Sequence, residues 1–225
     1  MKIAILAAMD KEMQLIVSML DSAVEMEYEG VKLHHGKVGS HEVFVAKSGI
    51  GKVNAALAAY KVIKAVEPDL VINSGVAGGA GIPVGTLLVA DRVAHHDVWC
   101  GPGTEHGQAD GLPLFMTPSK KVLDIAHRVA DKSSTMVGLI CSGDKFISRP
   151  EEIAEIRSHF PDVKAVDMES ASIAQASTLA GVPFAIVRIV SDTPGEGENI
   201  SQYQNFWSDA PLKTFAAVRK IIENL

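Results

Sequence analysis

Cysteine is scarce: Cys100 and Cys141 are the only two in 225 residues. That is too few for a disulfide framework, and the spacing is not that of a metal knuckle, so both read as reduced, partly buried thiols. Positive charge is also short. There are 21 Lys and Arg against 27 Asp and Glu, a formal net charge of −6 and a pI near 5.7. No basic footprint exists for a phosphate backbone, which excludes nucleic acid and favours a small, even uncharged, ligand. No stretch approaches the roughly 20 apolar residues needed to cross a bilayer. The apolar run Ile3–Met9 is cut by Asp10, Lys11 and Glu12, too short for a signal peptide. A soluble, cytoplasmic protein without a membrane partner is expected. Familiar motifs are missing as well. G-x-G-x-x-G is not spelled, Ala46–Val53 fails the P-loop pattern at its first and last positions, and there is no G-x-S-x-G elbow. His95-His96-Asp97 has no H-x-x-x-H or H-x-H partner, and adjacent histidines in a strand point to opposite faces, so no metal is expected.

What is present is a chain that is 47% hydrophobic with a mean hydropathy of +0.17, enough to bury one large core; residues 1–225 read as a single domain. Continuous apolar runs at Ile3–Ala8, Leu70–Ile72, Leu87–Ala90, Val137–Ile140 and Phe184–Val190 lack the alternation of a half-solvated sheet and read as strands covered on both faces. Helix-like stretches lie between them, at Val53–Val66, Ser119–Asp131, Pro150–Phe160, Ser170–Ala180 and Pro211–Asn224. This alternation predicts a three-layer α/β/α sandwich. Val31–Val38 and Glu42–Lys47 flank Gly39-Ser40 like an antiparallel hairpin, so the central sheet is predicted to be mixed. The glycine-rich stretch His95–Leu112 is too long for an ordinary connection and points to function or motion.

The segment Asn73–Gly81 follows a buried strand, where an open α/β sheet exposes backbone amides to a ligand. Carboxylates stand at or just beyond strand ends: Glu12, Glu169 and Asp192. Such positions converge on one crevice, although a helix cap is the ordinary alternative for Asp167 or Ser191-Asp192 taken alone.

Six blocks in order carry a recognisable pattern: Ala7–Glu12, Ser48–Lys52, Asn73–Gly79, Ser142–Ile147, Asp167–Glu169 and Arg188–Asp192. Together they resemble the 5′-methylthioadenosine/S-adenosylhomocysteine nucleosidases of the purine nucleoside phosphorylase superfamily. The resemblance implies a nucleoside phosphorylase-like fold, a homodimer, a small nucleoside substrate and N-glycosidic hydrolysis without metal or organic cofactor. It implies Asp192 as the acid at adenine N7, Glu12 as the base that activates water, and Glu169 as the acceptor of the ribose hydroxyls. Arg188 matches the cation near the water, Met168 the apolar floor under the ribose, and Phe146 the ring on the base, with backbone near Ile147 reading the adenine edge. Met9, Ile50, Val76, Ala77, Gly78, Asp167 and Ser191 complete the implied substrate site, and Trp207 is a candidate apolar wall. Core packing is the alternative for Met168 and Phe146, and a structural ion pair for Arg188.

Two positions depart from the family pattern, Val76 for its serine and Asp167 for its glutamate, and Asp97–Leu112 carries Trp99, Pro102, His106 and Leu112 where the family commonly has several aromatics around the 5′ group. Met9–Glu12 stands where phosphorylases carry an arginine-bearing phosphate loop; a carboxylate there repels phosphate and favours water. The competing readings are a phosphate-dependent phosphorylase, a sibling hydrolase such as an aminofutalosine hydrolase, and a non-catalytic nucleoside-binding protein.

Overall fold

The computed structural model describes residues 1–28, 30–129, 133–196, 198–206 and 211–225, with backbone only for 211–214. Among the described residues, nine strands form one mixed sheet: β1 (Lys2–Ala7), β2 (Asp21–Tyr28), β3 (Val31–Val38), β4 (His41–Lys47), β5 (Leu70–Gly79), β6 (Leu87–His95), β7 (Thr135–Ser142), β8 (Val163–Asp167) and β9 (Phe184–Asp192). The helices are α1 (Asp10–Val17), α2 (Lys52–Val66), α3 (Lys120–Val129), α4 (Pro150–His159), α5 (Ser170–Leu179), α6 (Asn199–Phe206) and α7 (Pro211–Glu223).

The predicted α/β/α layering and mixed sheet are present. β1 lies parallel between β4 and β5, while β2, β3 and β4 form the antiparallel meander that contains the expected hairpin. Each face of the sheet has its own core. On one, Ala55, Ala59, Val62, Ile63 and Val66 of α2 pack with Ala171, Ile173 and Ala174 of α5. On the other, Ile16 of α1, Val122 and Ile125 of α3, and Phe215, Val218, Ile221 and Ile222 of α7 pack against Ile3, Ile5 and Ile72. The spacings are those of helices with one apolar stripe, and each fully buried Ile or Val contributes about 1.5–3 kcal/mol.

The sheet does more than the sequence suggests: β5 pairs with both β9 and β8, and β8, β7, β6 and β9 complete a closed circuit. Closure turns on Gly78 and Gly79, whose backbone meets Val166 and Ala165. A side chain at Gly79 would lie 2.6 Å from the Ile82 carbonyl oxygen and 2.7 Å from Val190 Cγ1, so this bend requires glycine.

Several sequence boundaries need correction. The segment from Asn73 is not a loop after a strand but the continuation of β5 to Gly79; pairing with β9 buries its small polar residues where hydrophobicity does not mark them. β6 runs on to His95 past an irregularity at Asp91, where Arg92 finds Asp162 at 2.6 Å. β2, β8, α1 and α6 are additional elements. Both cysteines are free, but Cys100 is exposed and only Cys141 buried. Among the described residues, no helix is long and apolar enough to cross a membrane.

Candidate active site

The circuit of strands brings the carboxylates to one cleft. β5 and β9 run parallel with Gly75 opposite Arg188. The pairing then skips Ser191, so that Asp192 rather than Ser191 stands opposite Gly78; such a bulge re-aims a side chain beside a site. A cavity of about 120 Å³ opens there, lined by Met9, Glu12, Ile50, Val76, Ala77, Gly78, Phe146, Asp167, Met168, Glu169, Ser191 and Asp192, together with Ala8, Val166 and Tyr203. A smaller lobe of about 40 Å³ adds Lys145, Ile147 and Pro194. Thirteen of the fifteen residues marked by the sequence thus meet at one place. Trp207 lies outside the described residues, and Arg188 sits behind the cavity wall.

Glu12 is 1% exposed. As the third residue of α1 it turns back on the start of its own helix, so Oε2 accepts the Ala8 and Met9 amides, both at 3.0 Å. Oε1 accepts the Val76 amide, also at 3.0 Å. A carboxylate has about four acceptor sites; the three amides leave one, on Oε1, for a ligand or water. Burial pushes the Glu12 carboxyl up, while Arg188 and the amides oppose the shift. The Glu12–Arg188 approach is possible because residue 75 is glycine: a Cβ there would lie 2.3 Å from Arg188 Nη1 and 2.5 Å from Glu12 Oε1.

Arg188 is fully buried. Its Nε lies 2.9 Å from Asp167 Oδ2 and its Nη2 3.7 Å from Glu169 Oε2. It also donates to Asn73 Oδ1 (2.5 Å) and Ser170 Oγ (3.1 Å). Ending an interior strand, Arg188 must satisfy its donors inside the protein, and its Nε and Nη2 are directed to the acidic cluster, Asn73 and Ser170. Asp167 behaves likewise. It borders the cavity, but its carboxylate accepts Ser142 Oγ (2.5 Å), the Ser170 amide (3.2 Å) and the Ser170 hydroxyl.

Glu169 keeps one oxygen toward Arg188 and gives the other to the Gly51 amide at 3.1 Å. Burial raises its carboxyl above the ordinary range, with Asp167 and Glu12 adding to the rise and Arg188 opposing it. Asp192 is different in kind. Ser191 Oγ donates to Oδ1 (2.6 Å) and Asn199 Nδ2 to Oδ2 (3.3 Å). Among the described residues it has no ion pair. Burial raises its carboxyl, and these two donors only moderate the rise.

Phe146 is 43% exposed, which removes core packing as its explanation, and its ring meets Tyr203 edge-on at 5.5 Å. The Tyr203 hydroxyl lies 3.4 Å from Met9 Sδ. Val76 acts through its amide, which any residue supplies, so the loss of a serine hydroxyl leaves the hold on Glu12 intact. The Asp97–Leu112 stretch contributes nothing to the cavity wall within one chain. Trp99 is 62% exposed, and His106 stacks on His159 with centroids 3.7 Å apart. Val98 and Ala109 instead line a separate groove of about 640 Å³ between α2 and α5. No group of three or more His, Cys, Asp or Glu suited to a metal occurs among the described residues.

Residues 2–223 match the model of the phosphorylase superfamily. A 5′-methylthioadenosine/S-adenosylhomocysteine nucleosidase of Lysinibacillus sphaericus is 37% identical over 231 residues, covering 100% of both chains, and one of Haemophilus influenzae is 36% identical with the same coverage. Among solved structures, the nucleosidase of Neisseria meningitidis in complex with methylthio-immucillin-A is similar with a TM-score of 0.94 and 35% identity, over 100% of this chain and 99% of that one. The S-adenosylhomocysteine nucleosidase of Streptococcus pyogenes with 5-methylthiotubericidin gives 0.95 and 34%, over 100% and 97%. The chain belongs to the 5′-methylthioadenosine/S-adenosylhomocysteine nucleosidase family of the phosphorylase superfamily.

Proposed function

We propose that the protein hydrolyses the N-glycosidic bond of 5′-methylthioadenosine and S-adenosylhomocysteine, releasing adenine and the 5-thioribose product. The observation that carries this reading is the pair of dissimilar buried carboxylates in one cleft. Asp192 has no cation partner among the described residues and is disposed to hold a proton. Burial raises Glu12 too, but three amides and Arg188 oppose that rise and favour its anion. One group gives a proton and the other takes one, as cleavage of a glycosidic bond requires.

Asp192 protonates adenine N7 as the C1′–N9 bond breaks, so that adenine leaves neutral. The positive charge that develops on the sugar is met by Glu169, whose carboxylate accepts the ribose 2′- and 3′-hydroxyls. Water held at the remaining acceptor site of Glu12 attacks C1′, and Glu12 takes its proton. Phe146 packs on the base, Met168 lies under the ribose, and Arg188 fixes Glu169 and Asp167 from behind. The Gly75–Gly78 separation along β5, about 10 Å at roughly 3.3 Å per residue, suits a ligand with a base at one end and a reacting water at the other.

Adenine release from methylthioadenosine, S-adenosylhomocysteine and adenosine, each assayed with and without phosphate, tests the reading. Release from the thio-nucleosides at an unchanged rate without phosphate is expected, because Glu12 repels the anion that a phosphorylase would bind. Release that depends on phosphate would reassign the reaction to phosphorolysis.

The working unit in this reading is a homodimer. Val53, Leu57, Tyr60 and Leu179 on α2 and α5 are each more than half exposed around the large groove, an apolar patch of the kind that marks an interface. Sedimentation equilibrium is expected to give twice the 23.9 kDa chain mass; a single-chain mass at micromolar concentration would remove the dimer.

A further inference from the structure

The start of α2 lacks a cap of its own. Gly51, its N-cap, has φ +91° and no side chain to turn inward, and the first turn carries no acid. The free amides at a helix start need acceptors and favour negative charge. Both acceptors come from distant parts of the chain. The Gly51 amide donates to Glu169 Oε1 (3.1 Å), and the Lys52 amide donates to Asp144 Oδ1 (2.6 Å). Asp144 is fixed in turn by its own amide, which donates to Asp97 Oδ2 (2.8 Å), and Asp97 Oδ1 takes Lys52 Nζ (2.7 Å). The bonds close a ring: Lys52 amide, Asp144, Asp97, Lys52 ammonium.

The surroundings are built to this ring. A side chain at Gly143 would strike the His96 ring 2.3 Å away, and one at Gly51 would lie 3.1 Å from Asp144 Oδ1 in a backbone region that favours glycine. The His96 amide donates to the Ser142 carbonyl at 2.8 Å, so the segments at 96–97 and 142–144 run side by side. Burial works against the charge on Asp97, yet Lys52 and the Asp144 amide hold its carboxyl below the ordinary value.

We infer that Asp97 and Asp144 are positioning residues for the sugar-binding carboxylate: through the start of α2 they hold the Gly51 amide on Glu169. This rests on the role given to Glu169 in the proposed hydrolysis. Glu169 lies between two claims, the Gly51 amide on Oε1 and Arg188 at 3.7 Å from Oε2. When the start of α2 loosens, Arg188 draws the carboxylate inward, away from the ribose hydroxyls. The adenine end has supports outside the ring: Phe146 meets Tyr203, and Asp192 is held by Ser191 and Asn199.

The test measures kcat/KM for methylthioadenosine and the inhibition constant of adenine on the full chain carrying Asp97→Ala, Asp144→Ala or Asp144→Asn. The two alanine variants are expected to lose about 10- to 100-fold in kcat/KM, the scale set by a misplaced binding group, while adenine inhibition stays within about 2-fold. Asp144→Asn keeps an acceptor oxygen and is expected to recover most of the loss. Unchanged kcat/KM in the alanine variants overturns the inference, and so does a parallel loss of adenine affinity, which marks general loosening. Failure of the unsubstituted protein to release adenine overturns the nucleosidase reading and this role with it. Turnover by the unsubstituted protein alongside unaltered variants overturns the ring's role alone.

Discussion

Glu12→Gln is expected to lower kcat by about 10²–10⁴-fold, the usual contribution of a positioned base, equivalent to about 3–5 kcal/mol of barrier. The change is nearly isosteric, so the reason lies in protons. Each oxygen of Glu12 faces backbone donors, the Ala8 and Met9 amides on Oε2 and the Val76 amide on Oε1. An amide group must turn its NH₂ toward one of these sets, and the single remaining acceptor site for water loses its basicity or is lost outright. The substitution also withdraws one of the carboxylates around the buried Arg188, which keeps Asp167 and Glu169. In the proposed reading adenine occupies the lobe lined by Phe146, Ile147 and Asp192, so inhibition by adenine is expected to remain within about 3-fold, separating a catalytic loss from unfolding. Turnover within a few-fold of the unsubstituted protein would show that Glu12 caps α1 and does no chemistry. On the acid side, the proposed reaction requires Glu12 ionised. Because burial raises that carboxyl, and that of Glu169 as well, activity is expected to fall away at a higher pH than an ordinary glutamate would give as the solution is acidified, and E12Q should remove the share of this limb that belongs to Glu12.

How much of this was legible in the sequence depends on what marks each residue. The interior strands announce themselves because burial on both faces demands unbroken apolar runs, as in Ile3–Ala7 and Phe184–Val190. β5 was cut short because its continuation through Asn73, Ser74 and Gly75 is buried by pairing and close approach, not by hydrophobicity. β2 carries a strand signal after all, the alternation of Val24, Met26 and Tyr28 with Glu25 and Glu27, but it lies on an exposed edge with no core to amplify it. α1 is hidden by a first turn that doubles as the site, where Glu12 caps its own helix in place of a serine or threonine. The three carboxylates were legible because strand ends are where an α/β sheet gathers them. Asn199 and Tyr203 were not, since α6 is polar and without apolar period; its only hint is the Asn199-Ile200-Ser201-Gln202 spacing of a helix start, and Gln202 turns to the Thr193 amide instead. Closure of the sheet through Gly78 and Gly79, and the Lys52–Asp97–Asp144 ring, depend on residues far apart in the chain, which no local pattern encodes.

Asp192→Asn tests the other half of the chemistry and is expected to reduce kcat by a comparable factor, about 10²–10⁴-fold. An asparagine fits the same space, can still accept from Asn199 and can still offer a hydrogen bond to N7. It cannot deliver a proton, so adenine must depart as an anion or remain bonded to the sugar. Binding of the nucleoside is therefore expected to survive while the chemical step does not, which appears as a fall in kcat with KM within about 3-fold. The pH dependence gives the sign independently. In the proposed reaction the working form of Asp192 is the protonated one, and burial lifts its carboxyl above the ordinary aspartate value against the donors Ser191 and Asn199. Activity in the unsubstituted enzyme is then expected to persist above the pH at which a free aspartate ionises and to decline as pH rises through the raised value. Asn199 stabilises the ionised form through its bond to Oδ2, so Asn199→Ala is expected to move that decline to higher pH. In D192N this limb has no group to titrate and should flatten. A D192N enzyme that turns over at the unsubstituted rate, or that keeps the alkaline limb unmoved, would place the proton donor elsewhere. Asp192 would then be a residue that reads the adenine edge without taking part in breaking the bond.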